Sequence, residues 1–452
     1  MPTPAGLRPS LAPGSSLDAL VAEVGGLALV PPTSGDLLVT GVTLDSRVVR
    51  PGDLYAALPG STAHGADFAE QARAAGAVAL LTDTEGQRRA AGVLPALVGE
   101  RPRAVLGAIA SAVYGHPSRD LLVLGVTGTN GKTTTTYLLD AALRATGRVT
   151  GMIGTVETRV ADERVPSVRT TPEAPDLHRL LATMREREVA VCSMEISSQA
   201  LAQHRVDGVV VDVAGFTSFS QDHLELHGDM RTYLAAKALL FTPAHSRRGV
   251  VVVDDEGGRE VAATAGVPVT TVSAHAGAGA DWVVTDPVPS GPTTTFVLAH
   301  RDGGPALALR CPLPGDFNVM NTAVAAVMLL TAGLGPDEVA QGLGQAGGVP
   351  GRMEQVGAGE AGEPLAVVDY AHTPDAVAAA LEALRHNVSA AGRMVIVLGA
   401  GGDRDPGKRA GMGAAAAQHA HVVVVTDDNP RSEPPGAIRA AVLAGARERA
   451  AA

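Results

Sequence analysis

The sequence contains very little lysine. Of its 36 basic residues only three are lysines, and the other 33 are arginines. Arginine therefore supplies the generic positive charge in this chain, and a remaining lysine indicates a position where a guanidinium group cannot replace an ammonium group. The three lysines are Lys132, Lys237 and Lys408, and each lies in motif-like surroundings.

Cysteine and long apolar runs are also scarce. Cys192 and Cys311 lack the spacing of a metal site, so both are expected to be small apolar core residues in a reducing compartment. The N-terminal stretch MPTPAGLRPSLAPGSS has no apolar h-region and is interpreted as a tail, not a signal peptide. No apolar run is long enough to cross a membrane. The sequence therefore predicts a cytoplasmic protein without a membrane partner.

The overall charge and length limit the class of protein further. The 452 residues carry a net charge of −11, so the protein as a whole is not expected to bind nucleic acid. An anionic ligand must then be held by local arginines and by loop amides. This length predicts two to four domains.

One stretch, GVTGTNGKTTTTYLL over residues 125–139, is close to a phosphate-binding loop. The usual pattern has glycine where Val126 stands. The apolar run before the loop predicts a buried strand, and the run after it predicts a helix, so backbone N–H groups at the helix start can hold phosphates. Lys132 can reach the β- and γ-phosphates, and the Thr133 hydroxyl can bind Mg²⁺. The alternative is an ordinary glycine-rich turn between a strand and a helix.

Runs typical of strands and helices alternate after Leu121, which is typical of a mostly parallel α/β sheet. A Gly- and Pro-rich stretch at Gly347–Val356 suggests a linker. We predict three α/β domains: a small N-terminal domain over 1–118, a central domain of the phosphate-loop type over 119–349, and a C-terminal Rossmann-like domain over 350–452.

Three further residues favour a metal-dependent site. Glu195 ends the strand in VCSMEISSQAL, and a carboxylate at the carboxyl end of a parallel strand can complete Mg²⁺ coordination. The alternative is a solvated glutamate at a strand end. His223 and His227 could each bind a metal or a phosphate, although either could instead be structural.

Lys237 lies on the apolar face of a helix that the sequence predicts from Met230 onward. A bare ammonium group on that face is costly unless it is paired or chemically changed. Three interpretations remain open: the side chain extends to the surface, it pairs with Asp222 or Asp229, or it is a functional lysine at the edge of a site.

The last part of the chain has three polar stretches, VVDYAHTPDAV, GAGGDRDPGKR and TDDNPRSEPP. Each follows a strand-like run and so lies at the carboxyl edge of a sheet, where α/β proteins bind ligands. Arg404 and Arg431 suit bidentate recognition of a carboxylate. The alternative for each stretch is a surface turn, such as an Asn-Pro turn in DNPR.

Taken together and in this order, these stretches resemble the Mur ligases. The motifs are DSR–PG, GTNGKTT, the ME-SS run with Gln203 and Arg205, DH–HG followed by AAKALLF, PGRME, DYAHTPD, GGDRD–GKR and DNPR. They cover nearly the whole chain. The phosphate loop of this family has the GTNGKTT form, so Val126 is not a defect.

The resemblance assigns roles to individual residues. Lys132, Lys237 and His223 would be catalytic. ATP would be held by Gly128, Thr129, Asn130, Gly131, Lys132, Thr133, Thr134, Arg352 and His372. The UDP-linked peptide would be held by Ser46, Thr170, Thr171, Ser197, Gln203 and Arg205. Mg²⁺ would be held by Thr133, Glu195, His223 and a carbamylated Lys237. The incoming amino acid would be held by Arg404, Asp428, Asn429, Pro430 and Arg431.

The resemblance also implies the reaction. ATP would drive the addition of meso-2,6-diaminopimelate to UDP-N-acetylmuramoyl-L-alanyl-D-glutamate through an acyl phosphate, in cytoplasmic peptidoglycan precursor synthesis by a monomer. Carbamylation fits the Lys237 position, because CO₂ converts a costly buried cation into an anion that can bind Mg²⁺. Arginine cannot undergo this change.

The sequence departs from the family pattern in two respects. Val252 stands where the family usually has asparagine, so one contact near the adenine is expected to be lost. The family also continues beyond DNPR to a Gly-Lys-Gly-His-Glu stretch, so the C-terminal domain is expected to be incomplete and amino-acid binding weakened. The alternatives are a non-catalytic protein that binds nucleotide and UDP-peptide, an L-lysine-adding ligase, or a folylpolyglutamate-type enzyme. DSR–PG and DNPR argue against the last two.

Overall fold

The computed structural model of the chain describes residues 7–31, 37–290, 293–304, 306–356, 364–385, 388 and 392–451. The chain forms two compact units, each assembled from separate segments. The first comprises Met1–Val126, Gly147–Ala214 and Leu239–Arg248, and the second comprises Thr127–Thr146, Gly215–Ala238 and Gly249–Ala452. Within the described residues, no helix is both long enough and apolar enough to span a bilayer.

The strands of the described residues are short, as is usual in α/β proteins. They are β1 (Ser15–Ser16), β2 (Leu27–Val30), β3 (Leu38–Val39), β4 (Gly41–Thr43), β5 (Asp53–Ala56), β6 (Ala79–Thr82), β7 (Ala96–Gly99), β8 (Leu122–Thr127), β9 (Thr150–Ile153), β10 (Glu157–Val160), β11 (Glu163–Pro166), β12 (Val191–Glu195), β13 (Val211–Phe216), β14 (Ser246–Val252), β15 (Val269–Ser273), β16 (Trp282–Ser290), β17 (Thr293–His300), β18 (Leu307–Cys311), β19 (Glu354–Val356), β20 (Ala366–Val368), β21 (Val395–Leu398) and β22 (Val422–Val425).

The α-helices follow most of the parallel strands. They are α1 (Leu17–Val24), α2 (Ala69–Ala74), α3 (Thr84–Arg89), α4 (Pro102–Val113), α5 (Lys132–Ala145), α6 (Ala174–Glu186), α7 (Ser198–Ala202), α8 (Leu224–His227), α9 (Met230–Ala238), α10 (Glu256–Thr264), α11 (Asp316–Thr331), α12 (Pro336–Gly344), α13 (Pro374–Arg385), α14 (Lys408–His419) and α15 (Pro435–Ala451). Short 3₁₀ helices lie at Gly65–Phe68, Pro117–Arg119, Leu239–Phe241 and Ala276–Ala278.

The first unit contains a five-stranded sheet in the order β2-β7-β6-β5-β4. All its neighbouring pairs are parallel except β2 with β7. Every residue of β5 is buried, and its apolar side chains after Asp53 enter clusters on opposite faces of the sheet. Leu54 packs with Leu20 and Leu106 on one face, and Tyr55 packs with Leu80 on the other.

A larger sheet has eleven strands in the order β11-β10-β9-β12-β8-β13-β14-β15-β16-β17-β18. In the first unit β9, β12 and β8 are parallel, and β10 and β11 are antiparallel additions. In the second unit β14, β15 and β16 are parallel, and β17 and β18 are antiparallel. The predicted α/β class with a mostly parallel central sheet is confirmed.

Strands β16 to β18 were not identified from the sequence. Prolines at 287 and 289 argue against a strand, since proline cannot donate to a ladder. The structure accommodates them with a register shift between Thr285 and Val288. Beyond this bulge β16 pairs with β17, whereas its ladder with β15 involves only Trp282 and Val283.

The C-terminal part of the second unit is a smaller layer of helices and strands. Strands β21 and β22 are parallel and in register, with Val395 opposite Val422 and Leu398 opposite Val425. Helices α13, α14 and α15 supply its core, with Val377, Leu381, Met412 and Val442 among the buried side chains. The boundaries of the three predicted domains stay a prediction.

Candidate active site

The predicted phosphate loop joins β8 to α5 through two glycines with positive φ. Gly128 has φ 142° and Gly131 has φ 87°. A Cβ atom on Gly128 would lie 2.0 Å from the Thr217 hydroxyl oxygen, and one on Gly131 would lie 2.3 Å from Asn321 Oδ1. Both positions therefore need glycine for space as well as for conformation. Gly131 is the N-cap of α5 and provides no side-chain cap, so the loop amides and the helix dipole together favour an anion.

The segment after β13 fixes the shape of this loop. Thr129 donates its N–H to Ser218 O over 2.8 Å, and its hydroxyl donates to Ser220 O over 3.1 Å. Thr217 donates its hydroxyl to Asn130 O over 2.5 Å. Lys132 folds over the loop and donates its ammonium group to Gly128 O and Thr129 O, both at 3.0 Å. The loop is thus held in position by neighbours in the same unit.

Lys237 is fully buried on α9, with 1% of the residue exposed. Its Nζ donates to Gly128 O over 2.7 Å and lies 4.4 Å from the centre of the Tyr233 ring. Burial holds the pKa of Lys237 well below its ordinary value, and the charge of Lys132 lowers that pKa further against a weaker opposing effect of Asp222. The interpretation that Lys237 extends to the surface is wrong.

The proposed direct ion pair of Lys237 is also wrong. Among the described residues, no carboxylate lies within ion-pair distance of its ammonium group. Asp229 instead accepts the Thr232 N–H over 2.7 Å at the start of α9. Lys237 therefore has a carbonyl and an aromatic face as neighbours, and neither neutralises a positive charge.

Asp222 is a buried acid of this region, and from the sequence it was predicted only as a possible partner of Lys237. Its side chain is 3% exposed and accepts from Lys408 Nζ at 3.1 Å. His372 Nε2 and His223 Nε2 each lie 3.4 Å from its other oxygen. Burial acts to raise the pKa of Asp222, but the hydrogen bond from His372 and the charges of His223 and Lys408 hold that pKa well below its usual range.

Two residues predicted to contact nucleotide from the C-terminal domain lie in this same region. Arg352 Nη2 donates to the Thr133 hydroxyl over 2.9 Å, and its guanidinium group lies 4.7 Å from the centre of the Tyr370 ring. His372 reaches Asp222, as described above. The structure therefore brings Arg352 and His372 to the phosphate loop and its supporting segment.

Two buried asparagines of α11 were not identified from the sequence. Asn321 lies against Gly131 and donates to Asn318 Oδ1 over 3.1 Å. Asn318 donates to Pro314 O over 2.8 Å. A polar side chain in an otherwise apolar, Ala-rich helix is costly unless it is hydrogen-bonded, and this signal could have identified both residues.

Glu195 lies in the first unit, at the carboxyl end of β12 and directly opposite Val126 of β8. It is 1% exposed, so the alternative of a solvated strand-end glutamate is wrong. Its Oε1 accepts the Thr155 N–H over 2.7 Å, and its Oε2 accepts the Thr155 hydroxyl over 3.1 Å. The Thr155 hydroxyl also lies 3.0 Å from that of Thr170. Thr155 had not been identified from the sequence.

Most residues predicted to hold the UDP-linked peptide lie near one another in the first unit. The Ser197 N–H donates to the Thr171 hydroxyl over 3.1 Å, and Arg205 Nη2 donates to Gln203 Oε1 over 2.6 Å. Burial lowers the pKa of Arg205, although its ion pair with Glu173 at 2.9 Å opposes this effect. Ser46 stands apart: it donates to Gln71 over 3.1 Å, and in the described residues no hydrogen bond joins it to the others.

The predicted amino-acid site consists of two loops at one edge of the small sheet. Strands β21 and β22 end together, so the loops that follow them, 399–407 and 426–434, begin side by side. Arg431 Nη1 donates to Gly402 O over 2.5 Å, which places DNPR against the glycines of GAGGD. Asp428 accepts the Asn429 N–H over 2.7 Å. Arg404 is exposed at the same edge.

This fold and site define a class of protein: an α/β nucleotide-binding protein of the phosphate-loop type with a second, arginine-containing ligand edge. Comparison with known families agrees along the chain. Residues 38–114 match "Mur ligase family, catalytic domain", residues 126–329 match "Mur ligase middle domain", and residues 351–452 match "Mur ligase, glutamate ligase domain". The chain belongs to the Mur ligase family.

Individual relatives agree with this assignment. The chain is 53% identical over 430 residues to the UDP-N-acetylmuramoyl-L-alanyl-D-glutamate–2,6-diaminopimelate ligase of Streptomyces avermitilis, covering 95% of this chain and 84% of that protein. It is 47% identical over 454 residues to the UDP-N-acetylmuramyl-tripeptide synthetase of Leifsonia xyli, covering 99% and 86%. A solved structure of a UDP-N-acetylmuramoyl-L-alanyl-D-glutamate–2,6-diaminopimelate ligase matches with a TM-score of 0.70 and 31% identity, covering 95% and 85%.

Proposed function

We propose that this chain is an ATP-dependent ligase that adds meso-2,6-diaminopimelate to UDP-N-acetylmuramoyl-L-alanyl-D-glutamate during peptidoglycan precursor synthesis in the cytoplasm. The proposal rests on the phosphate loop, where the ammonium groups of Lys132 and Lys237 both donate a hydrogen bond to Gly128 O. The high identity to the Streptomyces ligase over nearly the whole chain supports this choice of substrates.

The reaction has two steps. The side-chain carboxylate of the D-glutamyl residue attacks the γ-phosphorus of ATP, the bond from that phosphorus to the bridging oxygen breaks, and ADP leaves. An amine of diaminopimelate then attacks the acyl carbon, phosphate leaves with the electron pair of the C–O bond, and the nitrogen loses a proton. Lys132 and the loop amides stabilise the charge that spreads over the transferred phosphoryl group.

The surroundings of Lys237 favour a carbamylated form of its side chain. Burial lowers the pKa of Lys237, so its amine loses its proton more readily than that of an exposed lysine, and the neutral amine is a nucleophile for CO₂. Addition forms an N–C bond, releases a proton and leaves a carbamate with one negative charge. The change removes a buried cation that has no anionic partner among the described residues.

We also propose that Mg²⁺ is the metal, held by Thr133, Glu195, His223 and the carbamate of Lys237. Three of the four proposed donors are oxygen ligands, which Mg²⁺ prefers, and the Glu195 carboxylate is buried at the carboxyl end of β12. The described residues contain no cluster of three or more His, Cys, Asp or Glu side chains of the metal-binding kind. In this proposal the Thr133 hydroxyl and the Lys237 carbamate would supply oxygen ligands beside Glu195. When bound, Mg²⁺ would neutralise charge on the phosphates.

The two other substrates would bind through arginines and hydroxyls. The UDP-linked peptide is assigned to Ser46, Thr170, Thr171, Ser197, Gln203 and Arg205. The amino acid is assigned to Arg404, Asp428, Asn429, Pro430 and Arg431. A planar guanidinium group matches the carboxylates that both substrates carry.

ADP release tests the proposal. It is measured with ATP, Mg²⁺ and the UDP-dipeptide, and with diaminopimelate, L-lysine or no amino acid. Turnover that requires diaminopimelate is the expected result. Turnover that prefers L-lysine would replace the proposed amino acid, and nucleotide binding without turnover would indicate a binding protein.

Two variants test the roles of the lysines. Lys132→Ala should abolish turnover while leaving the melting curve unchanged. Lys237→Ala should be nearly inactive and partly rescued by short-chain carboxylates, and intact-mass spectrometry under CO₂ should show a labile 44 Da adduct on the wild type only, as addition of one CO₂ requires. Arg231→Ala, an exposed position on the same helix, is the control. Normal activity in Lys237→Ala would refute the carbamate.

A further inference from the structure

The two loops at the edge of β21 and β22 are joined by many bonds for their size. Gly402 donates its N–H to Asn429 O over 2.9 Å. Ser432 donates its N–H and its hydroxyl to the Asp403 carboxylate, over 3.1 and 2.7 Å. A Cβ atom on Gly402 would lie 1.9 Å from Pro430 O, so the loops are in close backbone contact.

Each loop also holds a non-glycine residue in the left-handed region. Asp403 has φ 51° and Arg431 has φ 48°. Such conformations are unfavourable for these residues and persist where the surroundings hold them. The two strained residues lie on loops that bond to each other, and Arg431 belongs to the predicted amino-acid site. Contacts outside the two loops are therefore needed to hold them against the helices of this region.

An ion pair between Arg409 and Glu433 makes that connection. Arg409 is on the first turn of α14 and is 5% exposed, so it moves with the helix and the core. Its two terminal nitrogens donate to the two carboxylate oxygens of Glu433 over 2.9 and 2.7 Å. This bidentate geometry fixes direction as well as distance.

The same two side chains also contact the first loop. Arg409 Nη2 donates to Gly401 O over 3.3 Å, and Glu433 Oε1 accepts the Asp403 N–H over 2.7 Å. The hydrogen bond from Arg409 lowers the pKa of Glu433 to about 2, so the carboxylate stays ionised at neutral pH. One buried guanidinium group thus ties both loops to α14.

We propose that Arg409 and Glu433 are positioning residues for amino-acid selection: their ion pair fixes the two loops so that Arg431 can read a second carboxylate on the incoming amino acid. The inference deepens the proposed function and rests on it. Neither side chain is proposed to touch the substrate. The ion pair acts through Arg431, which reads the second carboxylate. Loss of the ion pair should therefore weaken the use of diaminopimelate, which carries two carboxylates, more than the use of L-lysine, which carries one.

Steady-state kinetics of the full chain test this inference. Glu433→Gln keeps the shape and removes the charge, and Arg409→Lys keeps the charge and removes the planar fork. Each should raise the KM for meso-diaminopimelate by about tenfold or more, with kcat and the KM values for ATP and UDP-dipeptide changed less than about twofold. The preference for diaminopimelate over L-lysine, measured as the ratio of kcat/KM values, should fall by a similar factor.

Two further variants distinguish an effect of the ion pair on KM from a general loss of folding. Ser432→Ala removes only the hydroxyl bond to Asp403 at an exposed site and should shift the same KM in the same direction by a smaller factor. Glu382→Gln is the matched control, since Glu382 lies 3.6 Å from His419 in the same domain and is 61% exposed. It should leave every parameter unchanged.

Hydrogen exchange of residues 426–434 separates the inference from the proposed function. If the wild type adds no diaminopimelate, the proposed function fails, but faster exchange of this loop in Glu433→Gln and Arg409→Lys still shows that the pair holds it. If the wild type is active and both variants keep the wild-type KM, preference and exchange, the inference is overturned.

Discussion

Acid should weaken the first unit through one buried histidine, His178 on α6. The side chain is fully buried, and its Nε2 lies 3.0 Å from Asp207 O, so Nε2 carries the proton of the neutral ring. In the described structure Nδ1 has no hydrogen-bond partner. Protonation would place a charge at Nδ1 with nothing to accept its hydrogen. Burial lowers the pKa of His178 to about 4, against an opposing hydrogen bond to Asp207 and with further lowering by His116.

The sign and size of the effect follow from the two protonation states. The pKa of His178 is lower in the folded chain than its ordinary value of 6.5, so the unfolded chain binds the proton more readily between these values. Stability contributed by the neutral ring is therefore present above pH 6.5 and is lost as the pH falls towards 4. The full loss is roughly 3 kcal/mol, and about 2 kcal/mol of it is lost between pH 7 and pH 5.

The variant His178→Gln isolates this contribution, because its amide can still donate to Asp207 O and does not titrate. Hydrogen exchange of residues 174–186 gives the local opening free energy of α6 at both pH values. The opening free energy of α6 should fall between pH 7 and pH 5 in the wild type. In the variant this fall should be smaller by about 2 kcal/mol. His275→Gln, at an exposed position, is the control and should follow the wild type.

A direct measurement can refute this argument. The ¹⁵N shifts of the His178 ring should show no protonation of the folded chain above about pH 5. A ring that titrates near 6.5 in the folded protein, or an acid sensitivity that is identical in wild type and variant, would show that burial does not suppress its charge.

Other predictions concern the site. Gly131→Ala should abolish nucleotide binding measured by calorimetry, because its methyl group would lie 2.3 Å from Asn321 Oδ1; retained affinity would show that the loop can rearrange. Lys408→Met should lower kcat by about tenfold or more, since buried Asp222 loses its nearest cation, and an unchanged kcat would remove this role. Arg431→Lys should raise the KM for diaminopimelate at least tenfold more than that for ATP; equal changes in both would contradict the assignment.

Local patterns were sufficient for the elements that carry the nucleotide site. The spacing of apolar residues from Met230 placed Lys237 on a buried helical face, and the structure confirms that burial. Strand β8 and helix α5 also lie directly before and after the phosphate loop, as the runs on either side of that loop predict. These features depend on neighbours in sequence, so periodicity and glycine positions predict them.

Contacts between distant parts of the chain could not be predicted in this way. Asp222 meets Lys408, 186 residues away, and Thr155 meets Glu195, 40 residues away. No spacing rule links such pairs, because the fold sets their distance. The choice between the three interpretations of Lys237 also needed the structure, since only the surrounding groups show that its neighbour is the Gly128 carbonyl.

The placement of the three lysines has a practical consequence for spectroscopy. Lys237 is fully buried and Lys408 is nearly so, and Lys132 lies folded over the phosphate loop. None of them is on the open surface. Reductive methylation with ¹³C-formaldehyde would therefore place isotope labels on lysine only in and around the site, without a background of surface lysine signals. A carbon spectrum of the labelled protein would resolve each ε-amine as a separate reporter, and slow labelling of Lys237 would itself measure how often that buried amine becomes accessible to solvent.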